Sequence, residues 1–211
     1  MNTDKLNRLE LLAFKNALRL HQDSIHLYKR KSYPSAFVIS VLASEEFGKV
    51  SMLNHWSLNW YLYDNEWKKR LITDIYSHVL KQRIFQFDFD QFVRGRFLSS
   101  TPTPTEHLKQ RALYVGLPRV NGKVNIKGRI SSPANVTPAM ARMQITMFND
   151  LLLDLALGIK HGYYMWDTFQ VQDLLNNRLI SKLISSWRYS TQIAAKQFRT
   201  KYGLTIKRAG I

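Results

Sequence analysis

Apolar residues recur at helical spacing from the start of the chain: Leu6, Leu9, Phe14, Ala17, Leu18, Ile25 and Tyr28. The spacing predicts a helix from about Asp4 to Arg30. Tyr33-Pro34 ends that pattern, because a residue before proline avoids the helical region. Ser32 as a cap and Pro34 in a first turn then open a second helix. Its pattern is different. From Tyr33 to Ser44 it is apolar or small on every side, after which Glu45, Glu46 and Lys49 follow abruptly. A helix hydrophobic all round belongs at the centre of a bundle. Charges on its continuation are costly unless paired or set in a cleft. This helix is read to about Tyr61. Its small residues Ala36, Ser40, Ala43, Ser44 and Gly48 allow close approach by neighbours. Gly48 sacrifices about 1 kcal/mol of helix propensity against alanine, which calls for a packing reason.

A polar break at Asp64-Asn65 precedes a third predicted helix, Glu66 to Phe87, with Trp67, Leu71, Ile75, His78, Gln82 and Phe85 on its inward face. Alternating prolines and small polar residues make 99–105 a loop. In Val120-Asn121-Gly122-Lys123-Val124, Asn-Gly sits between β-branched residues, a strong hairpin signal. Thr137-Pro138 opens a fourth helix through Met143, Met147, Leu151, Leu155 and Ile159. Asp167 caps a fifth through Val171, Leu174, Leu175, Leu179, Leu183 and Trp187, and a basic segment from Ser190 to Tyr202 follows. The expected fold is all-α: one antiparallel helical bundle with a small β-hairpin insertion near 114–130. The core is read over roughly 5–165 and the basic C-terminal helices over roughly 167–203.

Composition narrows the function classes. The hydrophobic content of 45% over 211 residues suits one sizeable core. The absence of cysteine removes disulfides and thiolate chemistry. The polar, acid-containing N-terminus does not read as a secretory signal, and no apolar run reaches membrane-spanning length. A cytoplasmic protein without a membrane partner is expected. Charge changes the picture most: 31 Lys+Arg face 15 Asp+Glu, for a net +16. No acid occurs between Glu106 and Asp150, and none after Asp173. Such an excess fits a polyanion, most simply RNA, although a solvated basic surface or an acidic protein partner fits it too. Around the Asn-Gly turn, Arg111, Arg119, Lys123, Lys127 and Arg129 cluster without an acid, and these are the candidate RNA-binding residues.

No metal-ligand spacing, phosphate loop or dinucleotide glycine pattern occurs, so no metal or other cofactor is expected. Two polar spots remain. Glu45 and Lys49 stand at i,i+4 and Glu46 and Lys49 at i,i+3, which an exposed ion pair would also explain. His78 and Lys81 stand at i,i+3, so both can face one cleft. Histidine exchanges a proton near neutral pH, and a lysine beside it can hold a phosphate. A core histidine bonded to backbone is the plainer alternative.

Three stretches carry a resemblance: Ser32-Tyr33-Pro34 through Ala43-Ser44-Glu45-Glu46-Phe47-Gly48-Lys49, then Ser77-His78-Val79-Leu80-Lys81-Gln82, then Lys109-Gln110-Arg111-Ala112-Leu113-Tyr114-Val115. In this order and at these separations the chain resembles the AbiV family of bacterial abortive-infection proteins, within the wider HEPN-like group. The resemblance covers roughly 10–165. It implies a homodimeric helical bundle that arrests phage multiplication with translation shut down. Many HEPN-like proteins are metal-independent endoribonucleases with an arginine four to six residues ahead of a histidine. Here Arg70 precedes His78 by eight positions, outside that pattern, whereas Arg19 and His26, with six residues between them, match its spacing as a short motif matches by chance. The candidate catalytic residues are therefore Glu45, Lys49, His78 and Lys81, with Arg111 as a phosphate contact. RNA or the ribosome is the expected partner, and a phage-encoded protein the expected activator. The alternative is a non-enzymatic interaction protein in which the same polar residues fix helix register.

Overall fold

A computed structural model describes residues 2–93, 105–117, 119–120, 123–130, 132–162 and 169–191. Helix α1 runs Thr3–Lys29. Asn2 caps it by accepting the Lys5 N–H at 3.1 Å, with Asp4 in the first turn and Lys29 in the last, where each charge complements the helix dipole. Lys31, in the left-handed region at φ 62°, turns the chain into α2, Tyr33–Asn59. The two helices form a long antiparallel hairpin. A 3₁₀ turn over Trp60–Leu62 ends α2.

The expected third helix is two helices. Helix α3 covers Asn65–Asp74 and α4 His78–Asp88, with a π-helical turn over Phe89–Val93 beyond it. Ser77 restarts the chain by capping Leu80 N–H. The apolar spacing runs unbroken across the corner, and periodicity alone does not see it. Trp67, expected to face inward, is half exposed. Helix α5, Thr105–Leu113, follows, and the loop expected over 99–105 otherwise lies outside the described residues. Helix α6, Pro138–Lys160, has the cap the sequence announces, Thr137 Oγ1 accepting the Met140 N–H at 3.2 Å. The fifth predicted helix is again two: α7, Phe169–Leu175, and α8, Arg178–Ser185, the second capped by Asn177. The basic segment from Ser190 to Tyr202 lies outside the described residues beyond Thr191.

The fold is all-helical, and the hairpin insertion over 114–130 is not supported. Where strand pairing is described, Arg119 stands opposite Val124 and Val120 opposite Lys123. The reason is physical: Asn-Gly fixes a turn, but a hairpin needs an apolar face to bury. Tyr114, Val115, Leu117, Ile126 and Ile130 on this stretch are exposed, so its apolar residues bury no common face.

Helix α2 is packed on several sides by α1, α4, α5 and α6. Phe47 of α2 meets Phe14 of α1, Phe85 of α4 and Phe148 of α6 edge-on, with ring centres 6.2, 6.4 and 5.8 Å away. Toward the start of α2, Ile25, Phe37, Val41, Ile145 and Trp187 are buried together; toward its end, Leu6, Leu53, Trp56 and Trp60 are.

The core also holds ionisable groups. Asp88 is buried and accepts from Ser51 Oγ at 2.6 Å. Burial pushes its carboxyl up to about 7, against the opposing effect of the Ser51 bond. The folded chain thus keeps a proton that the unfolded chain releases near pH 4. This contribution to stability is complete below about pH 4 and is lost as pH rises through about 7. His21, fully buried with Nε2 3.2 Å from Asn149 Oδ1, runs the other way, because burial holds it down at about 4. Asp88→Asn should therefore gain in melting temperature relative to wild type as pH is raised from 5 to 8. A gap that does not widen over that range would remove Asp88 from the pH dependence.

Candidate functional site

Glu45 sits at the middle of α2, on the side that faces α4 and α5, and is 1% exposed. A carboxylate there must find partners, since an unpaired buried charge costs several kcal/mol. It finds three on two other helices. His78 Nδ1, in the first turn of α4, lies 2.6 Å from Glu45 Oε2. One turn on, Gln82 Nε2 donates to Glu45 Oε1 at 2.7 Å and also reaches Glu106 Oε2 at 2.8 Å. From α5, Lys109 Nζ donates to Glu45 Oε1 at 2.7 Å and pairs with Glu106 Oε2 at 2.7 Å. Gln110 closes the outer edge by donating to Glu106 Oε1 at 2.8 Å.

The approach of α4 to α2 that permits this depends on Gly48. A Cβ there would stand 2.1 Å from the Lys81 carbonyl oxygen and 2.9 Å from its carbon. Backbone lies against backbone, and His78, one turn before Lys81, is thereby brought over Glu45. The sequence flagged Gly48 for its propensity cost; this contact is the cause.

Burial by itself would lower the Lys109 ammonium; its bonds to Glu106 and Glu45 outweigh that and hold it above the ordinary lysine value. Glu106 shows the same balance: burial works upward, and Lys109, Gln110 and Gln82 bring it below the usual carboxylate range. Lys81 is different. It is buried, burial lowers its amine below the ordinary value, and Glu45 only partly offsets this. Among the described residues it enters no ion pair.

Of the candidate catalytic residues, Glu45 and His78 are in direct contact, and Lys81 lies beside them. Lys49 does not pair with Glu45; its amine donates to Glu46 Oε1 at 2.7 Å, the i,i+3 alternative. Arg111 is on α5, two positions past Lys109, with Nε buried and without a hydrogen-bond partner. Among the described residues it makes no hydrogen bond or ion pair with Glu45. Lys127 and Arg129 are exposed. The side chains of Arg119 and Lys123 lie outside the described residues. Lys109, Gln82 and Glu106 complete the cluster without having been singled out as site residues. The available signal was their placement: Gln82 and Glu106 are polar positions on otherwise half-buried helices, and Lys109 opens the third stretch of the family resemblance.

Outside this cluster, a shallow cavity of about 590 Å³ opens beside the end of α1, lined by Asp23, His26, Leu27, Lys29, Arg30 and Ile39. It holds the His26 of the arginine–histidine spacing, but Arg19 is turned to Asp23, 2.9 Å away. No helix among the described residues is long and apolar enough to cross a membrane.

Comparison with known proteins adds one positive finding. The model of the HEPN-type family AbiV matches residues 5–153. No curated protein and no solved structure matches the chain. The matched span contains α1 to α5 and most of α6, and with them every member of the Glu45 cluster. The chain is a member of the AbiV family of HEPN-like proteins.

Proposed function

We propose that this chain is an abortive-infection antiphage protein that acts on RNA, with Glu45 and His78 as its reactive pair. One observation carries the reading: His78 places Nδ1 on a buried carboxylate while its side chain is 57% exposed. A carboxylate that accepts from Nδ1–H fixes the tautomer and directs the free Nε2 lone pair outward. In RNA the nucleophile is already present. Nε2 takes the proton of a 2′-hydroxyl, the 2′-oxygen attacks phosphorus, and the bond from phosphorus to the 5′-oxygen breaks. The departing oxygen recovers the proton from the imidazolium, and Lys81 faces the phosphate charge that develops. No metal is required, because charge stabilisation comes from the lysine. Loss of messenger, transfer or ribosomal RNA would stop translation in the infected cell. A phage-encoded protein would provide the trigger. HEPN domains often dimerise, and the exposed Tyr61, Leu62 and Trp67 beyond α2 support a homodimer here.

Purified protein with cellular RNA in EDTA should give cleavage, and His78→Ala should reduce its rate by about 10²–10⁴-fold, the usual contribution of general acid–base catalysis. The fold should hold with some loss of stability, since Glu45 Oε2 loses its partner. Equal cleavage by both proteins would remove His78 from the chemistry. A second reading has its own support: Glu45 ties α2, α4 and α5 together and leaves neither carboxylate oxygen unbonded. That is how a register-fixing network in a non-enzymatic binding protein would look. Intact RNA beside arrested translation would favour it, with the ribosome or a phage protein as the bound partner.

A further inference from the structure

The two acid-free stretches of the sequence meet in space. Arg142 comes from the stretch between Glu106 and Asp150, on α6, and Arg188 from the stretch after Asp173, just past α8. Their guanidinium carbons lie 5.2 and 5.0 Å from the centre of the same ring, that of Tyr189. Arg188 Nη2 donates to the Tyr189 hydroxyl at 2.8 Å, and Arg142 is its second guanidinium neighbour. Both arginines are exposed, and neither has a carboxylate partner among the described residues.

The site is held firmly from below. Tyr189 packs on Trp187 and Tyr28, with ring centres 5.1 and 6.4 Å away. Trp187 is buried and its Nε1 donates to Thr146 Oγ1 at 2.9 Å. Two residues past Tyr189, the Thr191 N–H donates to the buried Asp150 at 2.8 Å. The strap is therefore pinned on both sides of Tyr189, and the two cations are presented rather than left to wander. Two like charges converging on one neutral oxygen repel each other, and an oxyanion between them would turn that repulsion into attraction. The guanidinium fork matches phosphate oxygens in geometry as well as charge.

We propose that Arg142, Arg188 and the Tyr189 hydroxyl form a phosphate-binding site, seated on the strap after α8 and separate from the Glu45 cluster. The ligand is a phosphate group, in an RNA backbone or as a free phosphate. The backbone source is favoured by the neighbouring turn between α1 and α2, where Lys29, Arg30 and Lys31 run on from Tyr28 to extend the positive surface. This site is independent of whether His78 cleaves RNA.

All test proteins should carry His78→Ala, so that cleavage cannot confuse binding. A labelled single-stranded oligoribonucleotide is titrated by fluorescence anisotropy over a range of salt. Arg142→Gln with Arg188→Gln should weaken binding by at least about tenfold at low salt, the size of one lost charge-assisted hydrogen bond. It should also flatten the logarithmic salt slope by about 0.7, the value for one single-strand phosphate. Arg142→Lys with Arg188→Lys should keep the slope and lose part of the affinity. Inorganic phosphate, followed by titration calorimetry, separates the sources: phosphate binding lost in the glutamine pair while RNA affinity holds would assign a free phosphate. Should the pair fail to fold, the single Arg188→Gln, on an exposed side chain, carries the same comparison. Unchanged RNA affinity, salt slope and phosphate binding would overturn the proposal. So would an effect confined to polyglutamate, which would mark an acidic protein surface instead.

Discussion

Replacing Glu45 by alanine should destabilise the folded chain by about 3 kcal/mol or more, the cost of breaking a buried ion pair from one side. The substitution strips Lys109 of one of its two carboxylates and leaves Gln82 and His78 without their shared acceptor. Lys109→Met should cost a similar amount, because Glu45 would then be buried without its lysine. The informative variant is the double one. A matched apolar pair often restores what either single change removes. Glu45→Leu with Lys109→Met should therefore be more stable than the sum of its parts by at least 1 kcal/mol, at the level that couples residues in contact. Urea melts of wild type, Glu45→Leu, Lys109→Met and the double variant measure this directly. Strict additivity would mean that the two side chains do not interact, and the site as described would not exist in solution.

Gly48→Ala is the second large effect, and here two terms oppose each other. Alanine gains about 1 kcal/mol of helix propensity. Against it stands a methyl placed 2.1 Å from a backbone oxygen, an overlap that no rotamer relieves. Forced repacking in a filled core costs about 1–3 kcal/mol or more. The clash should win, and relief requires α4 to move off α2. His78 would move with it. The expected result is a lower melting temperature together with a changed His78 ring resonance by NMR. A variant as stable as wild type with an unmoved His78 signal would show that α4 does not rest on Gly48.

The long helices were legible in the sequence because their signals were both local and redundant. Ser32-Pro34, Thr137-Pro138 and the apolar periods around them placed α1, α2 and α6 within a few residues. The corners at Ser77 and Asn177 were missed because a side chain capping one N–H marks each, while the hydrophobic period continues across both. Half of the site was legible for the same reason as the helices: Glu45 and His78 stand out as charged or titratable positions on apolar backgrounds. Lys109 was not, since what makes it special is a partner 64 positions away. Lys49 misled by offering two carboxylates at helical reach, and only the direction of its side chain separates them. The Asn-Gly turn misled in another way, because turn chemistry was taken as evidence of strands that had no face to pack on.

The hairpin of α1 and α2, two helices of 27 residues joined by three residues, one of them left-handed, sets an order of assembly. Its contacts are close in sequence and form quickly, whereas α5 and α6 must close longer loops. A nascent chain thus presents Glu45 on a finished helical surface before His78, Gln82 or Lys109 has arrived. The carboxylate is still hydrated at that moment, and docking of α4 and α5 is the step that dries it. Because both must land for the charge to be satisfied, they are expected to arrive as one cooperative event, with His78 set in place only when the rest of the domain is complete.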